Sequence, residues 1–251
     1  MSVEGAVALI TGGGGLLGSA TARRLVEQGV RVVVADLHPG RVADDDRITF
    51  VRCDATQDSD VAHAVEAAAQ LGPLRLVLAC TGAGIVRRTL SRDGTRHDLA
   101  SFREMIDVNL VSAFLALTHG ASAMSTLDPL EDGSRGVVVL VSSLAGLEGS
   151  AGQLAYGAAK AAVAGMTLPA ARDLAPVGVR VVTIAPGAMG EAANVDLNDP
   201  RIAGMLAGVV HPKRFGTADD FALMVTQIVE QAYLNATVVR LDGGARLGLK
   251  Y

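Results

Sequence analysis

The chain of 251 residues has no Trp, five Phe, three Tyr and two Cys, and only three of its 22 basic residues are Lys. The two cysteines, Cys53 and Cys80, stand at the ends of separate apolar runs with no C-x-x-C spacing. That pattern excludes a disulfide scaffold and leaves buried, reduced thiols as the expectation. The five His (38, 63, 97, 119 and 211) form no i, i+4 pair and no ligand cluster, so no metal site is expected. No apolar stretch approaches the roughly 18–20 residues a membrane span needs, since runs such as Val137 to Val141 are short. A net charge of −4 and a pI near 5.7 provide no basic footprint, which excludes nucleic acid and anionic membrane as default partners. The first residues lack a basic region followed by a signal-type apolar stretch, and a strand is expected from Ala6. Cytoplasm is the expected compartment.

Half of the residues are hydrophobic and 19% are charged, enough apolar surface to offset the ordering entropy of a folded chain. Short β-branched runs alternate with Ala-rich helical stretches throughout, the pattern of a parallel sheet covered on both faces. Strands are expected at Ala6–Thr11, Arg31–Asp36, Ile48–Cys53, Leu74–Cys80, Gly136–Ser143, Val179–Ala185 and Thr237–Leu241. Helices are expected at Leu16–Gln28, Ser59–Gln70, Phe102–Ser125, Gln153–Ala175 and Ala218–Gln231. The fold class is therefore α/β, a Rossmann-type doubly wound parallel sheet of about seven strands with helices on both faces. Residues 1–251 read as a single domain. Polar stretches at Arg87–Ala100 and Thr126–Arg135 read as surface insertions, and Gly187–Arg214 as a long loop able to cover a site.

Directly after the first strand come Thr11-Gly12-Gly13-Gly14-Gly15-Leu16-Leu17-Gly18 and then a helix. Glycines there let the backbone approach a pyrophosphate, and the free N–H groups at the helix start attract its charge. Asp36 closes the second strand about 20 residues on, where a carboxylate binds adenosine ribose hydroxyls. Asp36 favours NAD, because a carboxylate repels the 2′-phosphate of NADP; Arg41 in the next loop is the feature that opposes this. Asp54, just after the third strand, reads equally well as an adenine contact or as a turn-forming Asp.

Tyr156 and Lys160 are four residues apart on an expected helix, one turn apart on one face. With so few Tyr and Lys, chance gives this spacing with a probability of only about 4%. A cation within about 4–6 Å lowers a phenol pKa by about 1–3 units, toward the range useful for acid–base work. Ser143 ends the fifth strand at the carboxyl edge, where a hydroxyl can donate to a substrate oxygen. Ser142 competes for that role, and alternation points only one of the two at the site. Asn109, inside the Phe102–Ser125 helix, is a poor interior helix residue.

In their order and spacing, the Thr-Gly turn, Asn109, Ser143, Tyr156-x-x-x-Lys160 and Pro186-Gly187 resemble the short-chain dehydrogenase/reductase superfamily. The segments Gly165–Pro176, Arg180–Gly187 and Val239–Gly243, with the Arg87–Ala100 insertion, resemble its type 2 3-hydroxyacyl-CoA dehydrogenases, also called type 10 17β-hydroxysteroid dehydrogenases. The resemblance implies NAD-dependent interconversion of a secondary alcohol and a ketone, on a small-molecule substrate of acyl-CoA or steroid type. It implies Tyr156 as general acid/base, Lys160 as its electrostatic partner and ligand of the nicotinamide ribose, and Ser143 as the group orienting the substrate oxygen. Asn109 would complete the tetrad through a water, and Gln153 would join Ser143 and Tyr156 in substrate binding. Gly12, Gly15, Leu16, Leu17, Gly18, Asp36, Asp54, Tyr156, Lys160, Pro186 and Gly187 would hold the cofactor. A homotetramer is also implied, in keeping with the small residues along Gln153–Ala175.

Three positions depart from the superfamily pattern: Leu16 replaces the middle glycine of the turn, Ala79 replaces a strand-end Asn, and Glu191 replaces a Thr after Pro-Gly. Each bears on cofactor affinity. They motivate one alternative, a non-catalytic dinucleotide-binding or scaffolding protein on the same fold; an NADPH-dependent ketoacyl reductase is a further one. The tetrad favours an enzyme, since a binding module needs no positioned acid–base pair.

Overall fold

The computed structural model describes residues 5–42, 45–190 and 199–247. Seven strands, β1 (Val7–Thr11), β2 (Arg31–Asp36), β3 (Ile48–Arg52), β4 (Leu74–Ala79), β5 (Gly136–Val141), β6 (Val179–Pro186) and β7 (Thr237–Leu241), form one sheet. Its order is β3-β2-β1-β4-β5-β6-β7, and every neighbouring pair is parallel. Helices α1 (Leu16–Glu27), α2 (Asp58–Leu71), α3 (Leu99–Ile106), α4 (Ser112–Ser125), α5 (Leu144–Glu148), α6 (Leu154–Leu174), α7 (Pro200–Ala207) and α8 (Ala218–Glu230) connect or cover it. The doubly wound α/β fold read from the sequence is the fold observed.

The apolar run of β5 has its explanation in two-sided burial. Val137, Val139 and Val141 join α1 and α8 in one core, while Val138 and Leu140 join α2, α4 and α6 in the other. Side chains alternate across the sheet, so a strand covered on both faces needs apolar residues at every position. At the edge, β3 is half-exposed to exposed throughout and carries Thr49 and Arg52 accordingly. Helix α8 begins with a capping box, Thr217 and Asp220 satisfying each other's backbone N–H groups. Its other end is finished by the buried Arg180, which donates to the carbonyls of Ile228, Val229 and Leu234.

Three departures from the expected elements bear on the site or its surroundings. The Phe102–Ser125 helix is interrupted by a π turn at Asp107–Val111, with α3 before it and α4 after it. The fifth strand ends at Val141, two residues early, because Ser143 serves as the N-cap of the unexpected five-residue helix α5. Arg87–Ala100 is a small hairpin, Leu90 bridged to Arg96, and its stem is joined to the chain beside α6 by an Arg87–Gln153 bridge. Among the described residues no helix is long and apolar enough to cross a membrane, and no group of His, Cys, Asp and Glu can hold a metal ion.

Candidate active site

The strand order reverses between β1 and β4, and the loops that leave the carboxyl ends of β1, β2, β4, β5 and β6 all open at that point. A cavity of about 430 Å³ lies there, lined by Gly12, Gly15, Leu16, Leu17, Gly18, Asp36, Asp54, Cys80 and Gly82 among others. A second, of about 210 Å³, is lined by Ser143, Tyr156, Lys160, Pro186, Gly187 and Met189. The two share Leu17, Cys80 and Gly82, so they adjoin.

The glycines of the first turn have separate reasons. Gly12 has φ +68°, and a Cβ there would meet the Thr81 backbone at 2.7 Å. At Gly18 it would lie 2.6 Å from the Gly12 carbonyl oxygen. Gly15, the N-cap of α1, has φ −74° and only that same oxygen at 3.3 Å, so its missing side chain keeps the helix start open to the cavity. Leu16 opens α1 and, with Leu17, packs against Ala20, Ala218 and Ala222 while still lining the cavity. The Asp36 carboxylate accepts from the Gly14 N–H at 3.0 Å, which ties the end of β2 to the glycine turn. Asp54 accepts from the Thr56 N–H at 3.0 Å and its hydroxyl at 2.7 Å, so it shapes a turn while lining the same cavity.

At the other end, Lys160 is 4% exposed. Its Nζ donates to the Val141 carbonyl at 2.9 Å and lies 5.8 Å from the centroid of the Tyr156 ring. Burial pulls the ammonium down to about 8, because desolvation penalises its charged form. The Tyr156 phenol is pushed up by burial, opposed by a hydrogen bond with Ser143. This corrects the expectation drawn from spacing alone, in which Lys160 lowers Tyr156: desolvation raises the phenol, and the opposing cause is Ser143 and not Lys160. Alternation does not separate the serine pair, since both line the cavity. Ser142 is buried, and its Oγ donates to the Lys160 carbonyl of α6 at 2.7 Å; Ser143 is half-buried, and its Oγ accepts from the Ala145 N–H at 3.2 Å.

Asn109 is fully buried in the π turn, where its Nδ2 donates to the carbonyls of Ala83 at 2.9 Å and Met105 at 3.0 Å. Its Oδ1 has no protein partner among the described residues. A Cβ on Gly82 would lie 2.9 Å from that Oδ1 and 3.1 Å from Lys160 Nζ, so both polar groups face Gly82. The wide turn is what allows an Asn here: its side chain takes a backbone carbonyl one turn back instead of competing with the helix.

A nicotinamide dinucleotide fits this architecture. The groove runs from a carboxylate at the end of β2, over a helix start whose N-cap lacks a side chain, to a half-buried phenol and a buried ammonium. A profile of the short chain dehydrogenase family matches residues 6–201. The chain belongs to the short-chain dehydrogenase family. This dehydrogenase is 39% identical over 253 residues to the human protein named 3-hydroxyacyl-CoA dehydrogenase type-2, covering 98% of this chain and 97% of that one. It is 38% identical to the Drosophila melanogaster protein of that name, over 98% and 99% of the two chains. The crystal structure of 3-hydroxyacyl-CoA dehydrogenase type-2 from Mycobacterium avium matches it with a TM-score of 0.91 and 41% identity, covering 98% of each chain. It is accordingly an oxidoreductase that uses a nicotinamide dinucleotide to interconvert alcohols and ketones.

Some residues of this dehydrogenase fall elsewhere than the sequence indicated. Gln153 is the N-cap of α6, one turn before Tyr156, and does not line the catalytic cavity. Cys53 is buried as expected, but Cys80 is half-buried and lines both cavities, with its thiol pushed up to about 11 by burial. Thr81, Gly82 and Met189 also line the site; the Gly-rich stretch after β4 is the signal that marks the first two. Ala79 lies across from Thr11, whose buried hydroxyl has no partner among the described residues, in keeping with the loss of a polar side chain there. Glu191 lies outside the described residues.

Proposed function

We propose that the chain is an NAD-dependent dehydrogenase that oxidises the hydroxyl of a 3-hydroxyacyl-CoA, or of a hydroxysteroid, to the ketone, reversibly. The observation that carries this reading is the pair of adjoining cavities, with Asp36 lining one and the Ser143, Tyr156, Lys160 group lining the other. Asp36 would accept from the free ribose hydroxyls of NAD and repel a 2′-phosphate. Gly12, Gly15, Leu16, Leu17 and Gly18 would carry the pyrophosphate at the start of α1, and Asp54 the adenine side. Pro186 and Gly187 would flank the nicotinamide. When bound, the nicotinamide supplies the hydride acceptor.

Tyr156 removes the hydroxyl proton in the oxidation and returns it in the reduction. Deprotonation of a phenol that burial holds neutral requires help, and the Lys160 ammonium one turn away supplies the opposite charge. Ser143 donates to the reacting oxygen as charge moves through it. Asn109 Oδ1 and Lys160 Nζ both face Gly82, and between them they would share a water that passes protons to solvent. Gln153, at the α6 N-terminus outside the cavity, would contact only a part of the substrate that extends beyond it. One domain carries both halves of the site, with residues 187–214 as its substrate loop, and the protein works as a cytoplasmic homotetramer.

The test is a panel of 3-hydroxyacyl-CoAs of graded chain length and a set of hydroxysteroids, each offered with NAD and with NADP. Reduction of NAD by at least one member is expected. No turnover of either class overturns the reading, and faster NADP turnover makes the protein a ketoacyl reductase instead. Gel filtration with light scattering that gives a monomer removes the tetramer.

A further inference from the structure

Ser142 is adjacent to the catalytic-site serine yet serves none of the roles above. Its backbone N–H continues the sheet by donating to the Ile184 carbonyl of β6 at 2.8 Å. Its hydroxyl donates to the backbone carbonyl of Lys160 at 2.7 Å. The donor is fixed by chemistry, because a carbonyl only accepts. Ser142 is 2% exposed and Lys160 4%, so water does not compete for this bond. One residue earlier, the Val141 carbonyl accepts from Lys160 Nζ at 2.9 Å. Two consecutive residues at the end of β5 thus hold the same lysine at both ends, by its ammonium and by its main chain. The contact is close: a Cβ on Gly146 of α5 would lie 2.6 Å from the Lys160 carbonyl carbon.

We propose that Ser142 is a positioning residue for the reaction, its hydroxyl fixing α6 at the level of Lys160 so that Tyr156 and Lys160 stand in register with Ser143. The proposal rests on the roles proposed above for those three residues. Its physical basis is that α6 carries both the phenol and the ammonium, whereas Ser143 belongs to the start of α5. The Lys160 ammonium and the Tyr156 phenol are tied to Val141 and Ser143 through flexible side chains, whereas the Ser142 hydroxyl holds the main chain of α6 itself at Lys160. A misplacement of about 1 Å at a catalytic group costs up to a hundredfold in rate. The titratable groups that bear on Lys160 are Tyr156 on the same helix and Cys80 at the end of β4. Neither touches the Ser142 hydroxyl, so its loss acts on them through geometry alone.

The experiment compares wild type, Ser142→Ala, Ser142→Cys, Ser142→Thr and Tyr156→Phe in the oxidation, measuring kcat, KM and the pH profile of kcat/KM, with NADH binding and Tm as controls. Ser142→Ala is expected to lower kcat about tenfold with little change in substrate KM. It is also expected to move the alkaline-side rise in rate to higher pH, because a less well placed ammonium assists the phenolate less. Ser142→Thr, which keeps the hydroxyl, restores kcat and the profile. Ser142→Cys, similar in size with a weak donor, falls between and carries the test if the alanine variant does not fold. A Ser142→Ala enzyme with a lower Tm but wild-type kcat and pH profile overturns the proposal, as does a cysteine variant with both unchanged. If Tyr156→Phe retains wild-type turnover, the underlying reading fails; if that variant is inactive and Ser142→Ala is normal, only the positioning role fails.

Discussion

Alanine at Gly12 and at Gly15, three residues apart in one turn, should fail in opposite ways. At Gly12 the new Cβ meets the backbone of Thr81 at 2.7 Å and of Cys80 at 2.8 Å, and φ is +68°. Left-handed backbone costs an L-residue about 1–2 kcal/mol, and overpacking against atoms that cannot rotate away costs about 1–3 kcal/mol. Together these give about 2–5 kcal/mol, against a typical domain's stability of about 5–15 kcal/mol. For a chain of this size each kcal/mol lowers Tm by about 2–4 °C, so Gly12→Ala should melt roughly 4–20 °C below wild type. Gly15 has φ −74° and one contact at 3.3 Å, so Gly15→Ala should melt within about 2 °C of wild type. Its methyl group instead projects where a pyrophosphate must approach the start of α1, and NADH binding should weaken about tenfold, or 1.4 kcal/mol. Thermal melts of the free enzyme and NADH titrations separate the two. A Gly15→Ala melt as low as that of Gly12→Ala, or a Gly12→Ala melt equal to wild type, refutes this account of the turn.

Asp36→Ala should narrow the preference for NAD over NADP in kcat/KM by about tenfold, while an unchanged ratio removes Asp36 as the discriminator. Lys160 gives a pH signature. Its folded pKa, about 8, lies below its unfolded value of 10.5, so between those values the unfolded chain binds more protons and stability rises with pH. Chemical denaturation of the free enzyme should show that rise over about pH 8–9, before the Cys53 and Cys80 thiols, raised to about 11 in the fold, oppose it; Lys160→Met should abolish the rise, and a rise that survives the substitution contradicts the assignment. Arg180→Met leaves the carbonyls of Ile228, Val229 and Leu234 without their buried donor and should cost about 2–4 kcal/mol. Because Arg180 lies in β6 near its start, at the sheet edge opposite the site, kcat per folded enzyme should be unchanged; a fall in kcat at full stability argues otherwise.

The sheet was legible because two-sided burial leaves a plain mark: β5 can only be apolar at every position, and the Gly turn can only join a strand to a helix. The site was legible where chemistry depends on sequence spacing, as with Tyr156 and Lys160 one helical turn apart. What stayed hidden depends on three-dimensional surroundings. Spacing places an ammonium near a phenol but says nothing of how deeply both are desolvated, so the direction of the Tyr156 shift came out opposite to expectation. A π turn differs from an α turn by one residue in its hydrogen bonding, which the apolar period around Asn109 does not register. Helix α5 spans five residues, too short for any period, and its presence moves Ser143 from a strand end to an N-cap. Cys80 follows the last apolar residue of β4, where neither burial nor exposure is dictated, and only the meeting of two cavities gives it a place. Leu16 looks like an obstruction in the turn until α8 is present to pack against it.

The most direct test of the central claim is the rate of NAD reduction by Tyr156→Phe on the best substrate, measured beside its affinity for NADH. The phenol hydroxyl is proposed as the proton acceptor and donor, so kcat should fall by at least about a hundredfold while NADH affinity stays within about threefold of wild type. Turnover near wild type would contradict the account.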